Sequence, residues 1–275
     1  VNRTTTAGRI GLSVAVFALL VFTLFPVYWM VSTALDPNAI TRGSDLLPSG
    51  FSTEHFAFIF SHGNFGPFLL NSVVVGLATI IVCGLLALLA AVAVARFHFR
   101  FRTSVLVMVL IVQMVPLEAL VIPLFLQMRD YNLLNSLVGL SIVYIALSLP
   151  FAIWTLRGFV ATVPKEVEEA AYLDGCSWPR MFWSVLLPLI APGLVATSVF
   201  AFITAWNEFV FAYTFMKDDA KYTAAVGLFQ FFGENSTSWG PVMAGSTLIT
   251  VPVLVFFIIV QRRLASGLAA GAVKG

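Results

Sequence analysis

Residues 68–95 read FLLNSVVVGLATIIVCGLLALLAAVAVA, without one charged side chain. At about 1.5 Å per residue, a helix over this stretch exceeds the ~30 Å hydrocarbon core of a bilayer. A helix also satisfies its own backbone groups, which lipid demands. Working outward, five further apolar segments appear: Ile10–Leu35, Ser104–Met128, Ser136–Leu156, Ala191–Met216 and Val242–Gln261. The shortest has 20 residues, roughly 30 Å of helix. The expected fold is all-α: a polytopic membrane protein of six transmembrane helices, forming one transmembrane domain over 1–275.

Composition agrees. Hydrophobic residues make up 60% of the chain and charged residues 10%, against roughly 45–50% and about 25% in soluble domains. The 275 residues suffice to bury an ordinary core, so small size does not explain the excess. The net charge of +2 and the lack of a basic run exclude an electrostatic case for nucleic acid.

Six crossings place both termini on one side, and the basic residues choose it. With cytoplasmic termini, the inner segments carry Arg3, Arg9, Arg96, Arg100, Arg102, Arg157, Lys165, Arg180, Arg262, Arg263 and Lys274. The outer loops keep Arg42, Arg129, Lys217 and Lys221, a ratio of 11 to 4. The positive-inside rule therefore predicts a cytoplasmic-membrane protein with both ends inside. Arg3 and Arg9 before the first span resemble a secretory leader, but the uncharged run Ile10–Leu35 far exceeds its ~7–15-residue apolar region. An uncleaved span is expected.

Within the spans, Ala87, Ala91 and Ala95 recur every fourth residue. That stripe permits close helix approach, although alanine is also simply common in such helices. Pro116 and Pro123 should kink the third span. Cys83 and Cys176 are far apart, and His55, His62 and His98 do not cluster, so neither a disulfide framework nor a metal site is predicted.

The most informative polar stretch is the inner connection, residues 157–190. Pro164 can open a short helix whose first turn is acidic (Glu166, Glu168, Glu169) and which ends near Asp174 with Gly175 beyond. These are helix start and stop signals. Val167, Ala170 and Ala171 share spacings of three and four, giving a small docking face. So short a helix is marginal in water and must pack on something. General grounds favour its own chain over a partner.

A resemblance reverses that preference. Glu169-Ala170-Ala171, three residues, Gly175, nine residues and Val185-Leu186-Leu187-Pro188 resemble the cytoplasmic signature of binding-protein-dependent ABC importer permeases. Phe25-Pro26-Val27-Tyr28-Trp29-Met30, Ala205-Trp206-Asn207-Glu208-Phe209 and the tail 262–275 narrow the resemblance to the carbohydrate branch, with its maltose-type, MalG-like subunits. The likeness implies that Glu169, Ala170, Ala171, Asp174, Gly175 and Pro188 form a coupling element docked on an ATPase. It implies a homologous second permease, an ATPase dimer that holds ATP and Mg, and an extracytoplasmic solute-binding protein. No lysine of this chain follows a glycine, so a phosphate-cradling GK[ST] loop is absent and ATP hydrolysis belongs to a partner chain.

Glu118 and Glu208 are the acidic residues within the predicted spans. An intramembrane carboxylate costs at least ~2.5 kcal/mol on insertion scales and usually faces a cavity or a partner. With Gln113 and Asn207 they offer hydrogen bonds to sugar hydroxyls, and Trp206 offers a stacking face. The equal alternative is that these groups bond neighbouring helices. No HExxH or GxSxG motif supports a membrane enzyme, and no charge ring or filter supports a channel. No catalytic residue is expected. A polyol or glycerol phosphate permease is the second transport reading. The absence of Lys and Arg from the predicted spans argues mildly against an anionic solute.

Overall fold

The computed structural model describes residues 6–40, 42–233 and 237–272, with residues 6, 7 and 262–272 described by backbone alone. Among them, regular structure is helical, and one isolated bridge joins Phe232 and Thr237. The helices are α1 (Thr6–Ala34), α2 (Glu54–Ser61), α3 (Phe65–Arg96), α4 (Arg102–Gln113), α5 (Leu117–Asp130) and α6 (Leu137–Thr162). They continue with α7 (Lys165–Leu173), α8 (Trp178–Met181), α9 (Leu187–Asn207), α10 (Val210–Phe215), α11 (Ala224–Phe229) and α12 (Trp239–Ala272). The predicted tail 262–275 falls outside the residues whose side chains are described.

Among the described residues, five helices are long and apolar enough to cross a membrane, and six crossings result if α4 and α5 form one bent span. This corrects the expectation of a continuous third helix over Ser104–Met128. The axes of α4 and α5 differ by 101°. Pro116 caps α5 with an extended ψ of 130°. Proline has no N–H to continue the ladder and drives the preceding residue away from helical geometry, so the chain breaks at Met114–Pro116. Pro123 is accommodated inside α5.

Two other boundaries move. α6 extends to Thr162, so Arg157, expected in a loop, lies within a span helix. The fifth span begins with a π-helical turn, Phe182–Leu186, before α9, and stops at Asn207 rather than Met216. Pro188 explains the π turn: it lacks the N–H an α-helix would need there, and widening the preceding turn relieves its ring. The Leu187 amide consequently bonds back to the Phe182 carbonyl.

The chain divides into two compact units. The first comprises residues 1–66 and 227–251. There α1 is exposed along almost its whole length, and only its last turn, Ser32 to Ala34, is buried. Ile59, Phe65 and Ala244 are fully buried in this unit, and Phe231 meets the Phe58 and Phe65 rings at 6.5 and 6.1 Å. Burying such aromatic surface stabilises the unit at about 25 cal/mol per Å² of apolar area.

The second unit comprises residues 67–226 and 252–275 and holds two apolar cores. One joins Cys83, Ala87, Leu88, Ala91 and Val92 of α3 to Ala152, Leu156 and Val160 of α6, Ala171 of α7 and Ile190 of α9. The Ala87/Ala91 stripe is indeed an interior face. The other core sets Met128, with Leu124 and Phe125, against Tyr144, Phe211 and Phe215. Gly193 lets α9 approach α6 closely: a Cβ there would lie 2.4 Å from Phe159 Cγ.

Candidate functional site

The predicted short helix forms as α7, Lys165–Leu173. It ends in a Schellman arrangement. The Cys176 amide bonds to the Ala171 carbonyl at 3.0 Å and the Gly175 amide to that of Tyr172 at 3.0 Å. Gly175 has φ +81°, which a side chain disfavours. No heavy atom lies within 4 Å of where its Cβ would sit, so glycine is required for conformation and not for space.

The expected docking face is divided. Ala171 packs into the core of its own chain, whereas Glu169 and Ala170 are exposed. Successive residues turn by about 100° around a helix, so Ala170 and Ala171 cannot point the same way. Val167, Ala170 and Leu173, the last 90% exposed, form the outward side with Glu169. Asp174, Gly175 and Pro188 are also exposed.

The inward side carries a charge as well. Glu168 is buried and accepts a hydrogen bond from Arg96 Nε at 2.6 Å. Arg96, the last residue of α3, also donates from Nη2 to the Val163 carbonyl at 2.9 Å. Both side chains are about nine-tenths buried, at 11% and 12% exposure. The sequence reading counted Arg96 only as a topological charge. No pattern in a single sequence links it to Glu168, 72 positions away.

The candidate path residues do not share one environment. Gln113 and Glu118 flank the α4–α5 break and are exposed. Trp206 is buried, and its ring stacks on Phe202 with centroids 5.2 Å apart. Its Nε1 is buried without a hydrogen-bond partner among the described residues. Asn207 is exposed and Glu208 half-buried. The Glu208 carboxylate accepts from Tyr144 OH at 2.5 Å, Phe211 N at 2.9 Å and Ala212 N at 3.1 Å. It thereby closes the exposed amides where the chain restarts as α10. Tyr144 went unnoticed in the sequence; its signal was a polar-tipped ring in an otherwise apolar span.

In the first unit, the Phe25–Met30 stretch organises the loop after α1. Tyr28 OH donates to Leu46 O at 2.6 Å, and the Arg42 guanidinium sits 4.5 Å from the Trp29 ring centre. Arg42 is buried. It donates to Ser32 and Thr33 hydroxyls at 3.0 and 3.1 Å and pairs with Asp36 at 3.8 Å. Asp36 also accepts from the Ser49 hydroxyl and from the Asn38 and Ser49 amides. Chiefly the Ser49 hydroxyl, opposed by burial and aided by those amides and Arg42, holds the Asp36 carboxyl below its ordinary pKa. Trp29, Arg42, Trp239 and Met243 line a cleft of about 370 Å³ in this unit.

Among the described residues, five apolar helices long enough to span a bilayer, with a broken pair that can make a sixth crossing, define a multi-pass membrane protein. The chain belongs to the binding-protein-dependent transport system inner membrane component family, matched over residues 83–269, in its carbohydrate ABC importer branch. The diacetylchitobiose uptake system permease protein DasC of Streptomyces coelicolor is 41% identical over 273 residues, 98% of each chain. The trehalose transport system permease protein SugB of Mycobacterium tuberculosis is 37% identical over 256 residues, 92% of this chain and 93% of its own. The trehalose/maltose transport system permease protein MalG of Thermococcus litoralis is 34% identical over 270 residues, 97% of each. A chain from the crystal structure of a bacterial ABC transporter involved in import of the acidic polysaccharide alginate superposes with a TM-score of 0.78. At 22% identity, covering 95% of this chain and 99% of that one, it establishes a common fold.

Proposed function

We propose that this chain is one half of the translocation path of an ATP-driven sugar importer, with residues 1–275 acting as one transmembrane domain. A homologous permease supplies the other half, an ATPase dimer holding ATP and Mg docks beneath, and an extracytoplasmic binding protein delivers solute. The observation that carries the coupling role is α7, whose inner side is fixed by Ala171 and Glu168 while Val167, Glu169, Ala170 and Leu173 face outward. Exposed apolar groups on a helix this short favour a protein partner. Nucleotide-driven movement of that partner biases a two-state membrane element.

The solute class is a disaccharide, as the names of DasC, SugB and MalG share that chemistry. Both termini are cytoplasmic, supported by a 10-to-4 distribution of basic residues once Arg157 is placed within α6 and by a six-crossing path through the bent α4–α5 pair. A polyol or glycerol phosphate is the second reading. Arg157 favours the phosphorylated solute, being a cation within α6 whose guanidinium lies 5.4 Å from the Trp154 ring centre and whose buried Nε has no hydrogen-bond partner among the described residues.

Affinity purification of the chain from its native host tests the assembly. An ATPase and a second permease should accompany it, and the reconstituted complex should hydrolyse ATP faster with binding protein and diacetylchitobiose, trehalose or maltose. A well-expressed chain that brings no ATPase refutes the reading. Stimulation by glycerol phosphate and by none of the sugars selects the second.

A further inference from the structure

The geometry points to Arg96 as a positioning residue that, through Glu168, fastens α7 to the end of α3 and makes the two move together. This rests on the proposed coupling role of α7. Arg96 closes a junction of three helices. It terminates α3, donates to the Val163 carbonyl at the C-cap of α6, and pairs with Glu168 in the first turn of α7. The guanidinium suits the task, because its planar fork reaches two acceptors in fixed directions. Partial burial, at 11% and 12% side-chain exposure, limits the screening that makes surface pairs weak.

The rest of the attachment to α3 is slender. From α7 itself, Ala171 is the apolar side chain buried in the core shared with α3 and α6, and one alanine methyl offers little area. The chain leaves α7 through a left-handed glycine with open space around it. A load on the outward face of α7 therefore reaches α3 through Ala171 and the Arg96–Glu168 pair, while the contacts of α7 with α8 and the π turn lead toward α9. Without the pair, α7 can tilt about Ala171 and the load is lost before it reaches α3.

The chain carries its own reporter. Cys176 follows Gly175 and is half-buried, whereas Cys83 is buried within α3. In the detergent-solubilised complex, maleimide labelling of Cys176 is measured for wild type, Arg96→Gln, Glu168→Gln and the double variant. Each single variant should label at least fivefold faster, and the double variant no faster than the faster single, as a direct pair requires. Arg96→Lys keeps the charge but loses the fork, and should fall between wild type and Arg96→Gln. It also serves if full charge removal prevents folding. In complexes that retain the ATPase, stimulation of hydrolysis by binding protein and solute should drop toward none. Unchanged labelling, or effects that simply add, overturns the pairing. Faster labelling with intact stimulation overturns the positioning role. A wild-type chain without any ATPase sinks the importer reading instead, and the labelling cycle alone then decides whether the pair holds α7.

Discussion

Tyr144 and Glu208, 64 positions apart, are joined by a 2.5 Å hydrogen bond in which the phenol donates to the carboxylate. The bond ties the first third of α6 to the point where α9 ends and α10 begins. The same carboxylate receives two backbone amides of α10, so its charge is matched by donors from two elements. Glu118, at the start of α5, is exposed.

The two acids should therefore respond differently to neutralisation. Glu208→Gln places an amide NH2 against donors, and each hydrogen bond to a charged group contributes about 1.5–3 kcal/mol. Its thermal midpoint should fall clearly, with Tyr144→Phe falling less. Glu118→Gln should unfold like wild type and show its effect, if it borders the solute route, in transport KM or selectivity. Equal midpoints for Glu208→Gln and wild type would contradict the bonding described.

Gly175 should tolerate residues according to backbone preference and not size. Its φ of +81° disfavours a β-branched residue most, at ~1 kcal/mol or more. Gly175→Val should lose uptake at normal membrane levels, while Gly175→Asn retains most of it because asparagine enters the left-handed region more readily. Uptake ranked by side-chain volume instead would point to a steric limit that the open surroundings do not show.

The loop after α1 should be acid-sensitive through Asp36. Its folded pKa lies below the ordinary 3.8, so the folded state holds the proton less tightly than the unfolded chain. The resulting stabilisation is complete above the ordinary carboxylate range and is lost as pH falls through the depressed value, below about pH 4. The difference in thermal midpoint between wild type and Asp36→Asn should shrink over that range. A gap that stays constant or widens there would show that the carboxylate is not the source.

Two glycines of unit 2 offer a paired test of helix approach. A Cβ at Gly193 would fall 2.4 Å from Phe159, whereas one at Gly158 meets nothing within 4 Å. Gly193→Ala should destabilise by ~1–3 kcal/mol through overpacking. Gly158→Ala should be neutral or stabilising, since alanine is the better helix former by ~1 kcal/mol. Denaturation of both variants in one detergent reads the contrast directly.

The long helices were legible from their apolar runs because lipid imposes a strong and local requirement on composition. Gly175 was legible too, since a left-handed helix stop depends on one residue type. The α4–α5 break was only half legible. Pro116 announces a disturbance, but a mild kink and a 101° turn share that signature, and tertiary packing decides between them. The Arg96–Glu168, Tyr144–Glu208 and Asp36–Arg42 bonds were hidden for a different reason. Arg96–Glu168 and Asp36–Arg42 join residues that read as ordinary span ends or loops, whereas Tyr144 and Glu208 lie inside two predicted spans that no local pattern pairs. Trp206 was read with two equal alternatives, a stacking face for solute or a contact between helices; it lies buried on Phe202, and hydrophobicity alone does not tell which side of a helix meets a cavity.

The π turn at Phe182–Leu186 acts as a one-residue insertion held in the helical frame. Five π steps sweep about the same turn as four α steps, so removing a single residue from it restores ordinary α geometry and leaves everything beyond nearly in phase. Gly193 would still face Phe159, Phe202 would keep its stack with Phe256 at 4.3 Å, and Glu208 would still meet Tyr144. The same deletion made inside α9 turns everything beyond it by about 100°, so tolerance to a change in length should be confined to this one turn, a constraint written in residue count and not in chemistry.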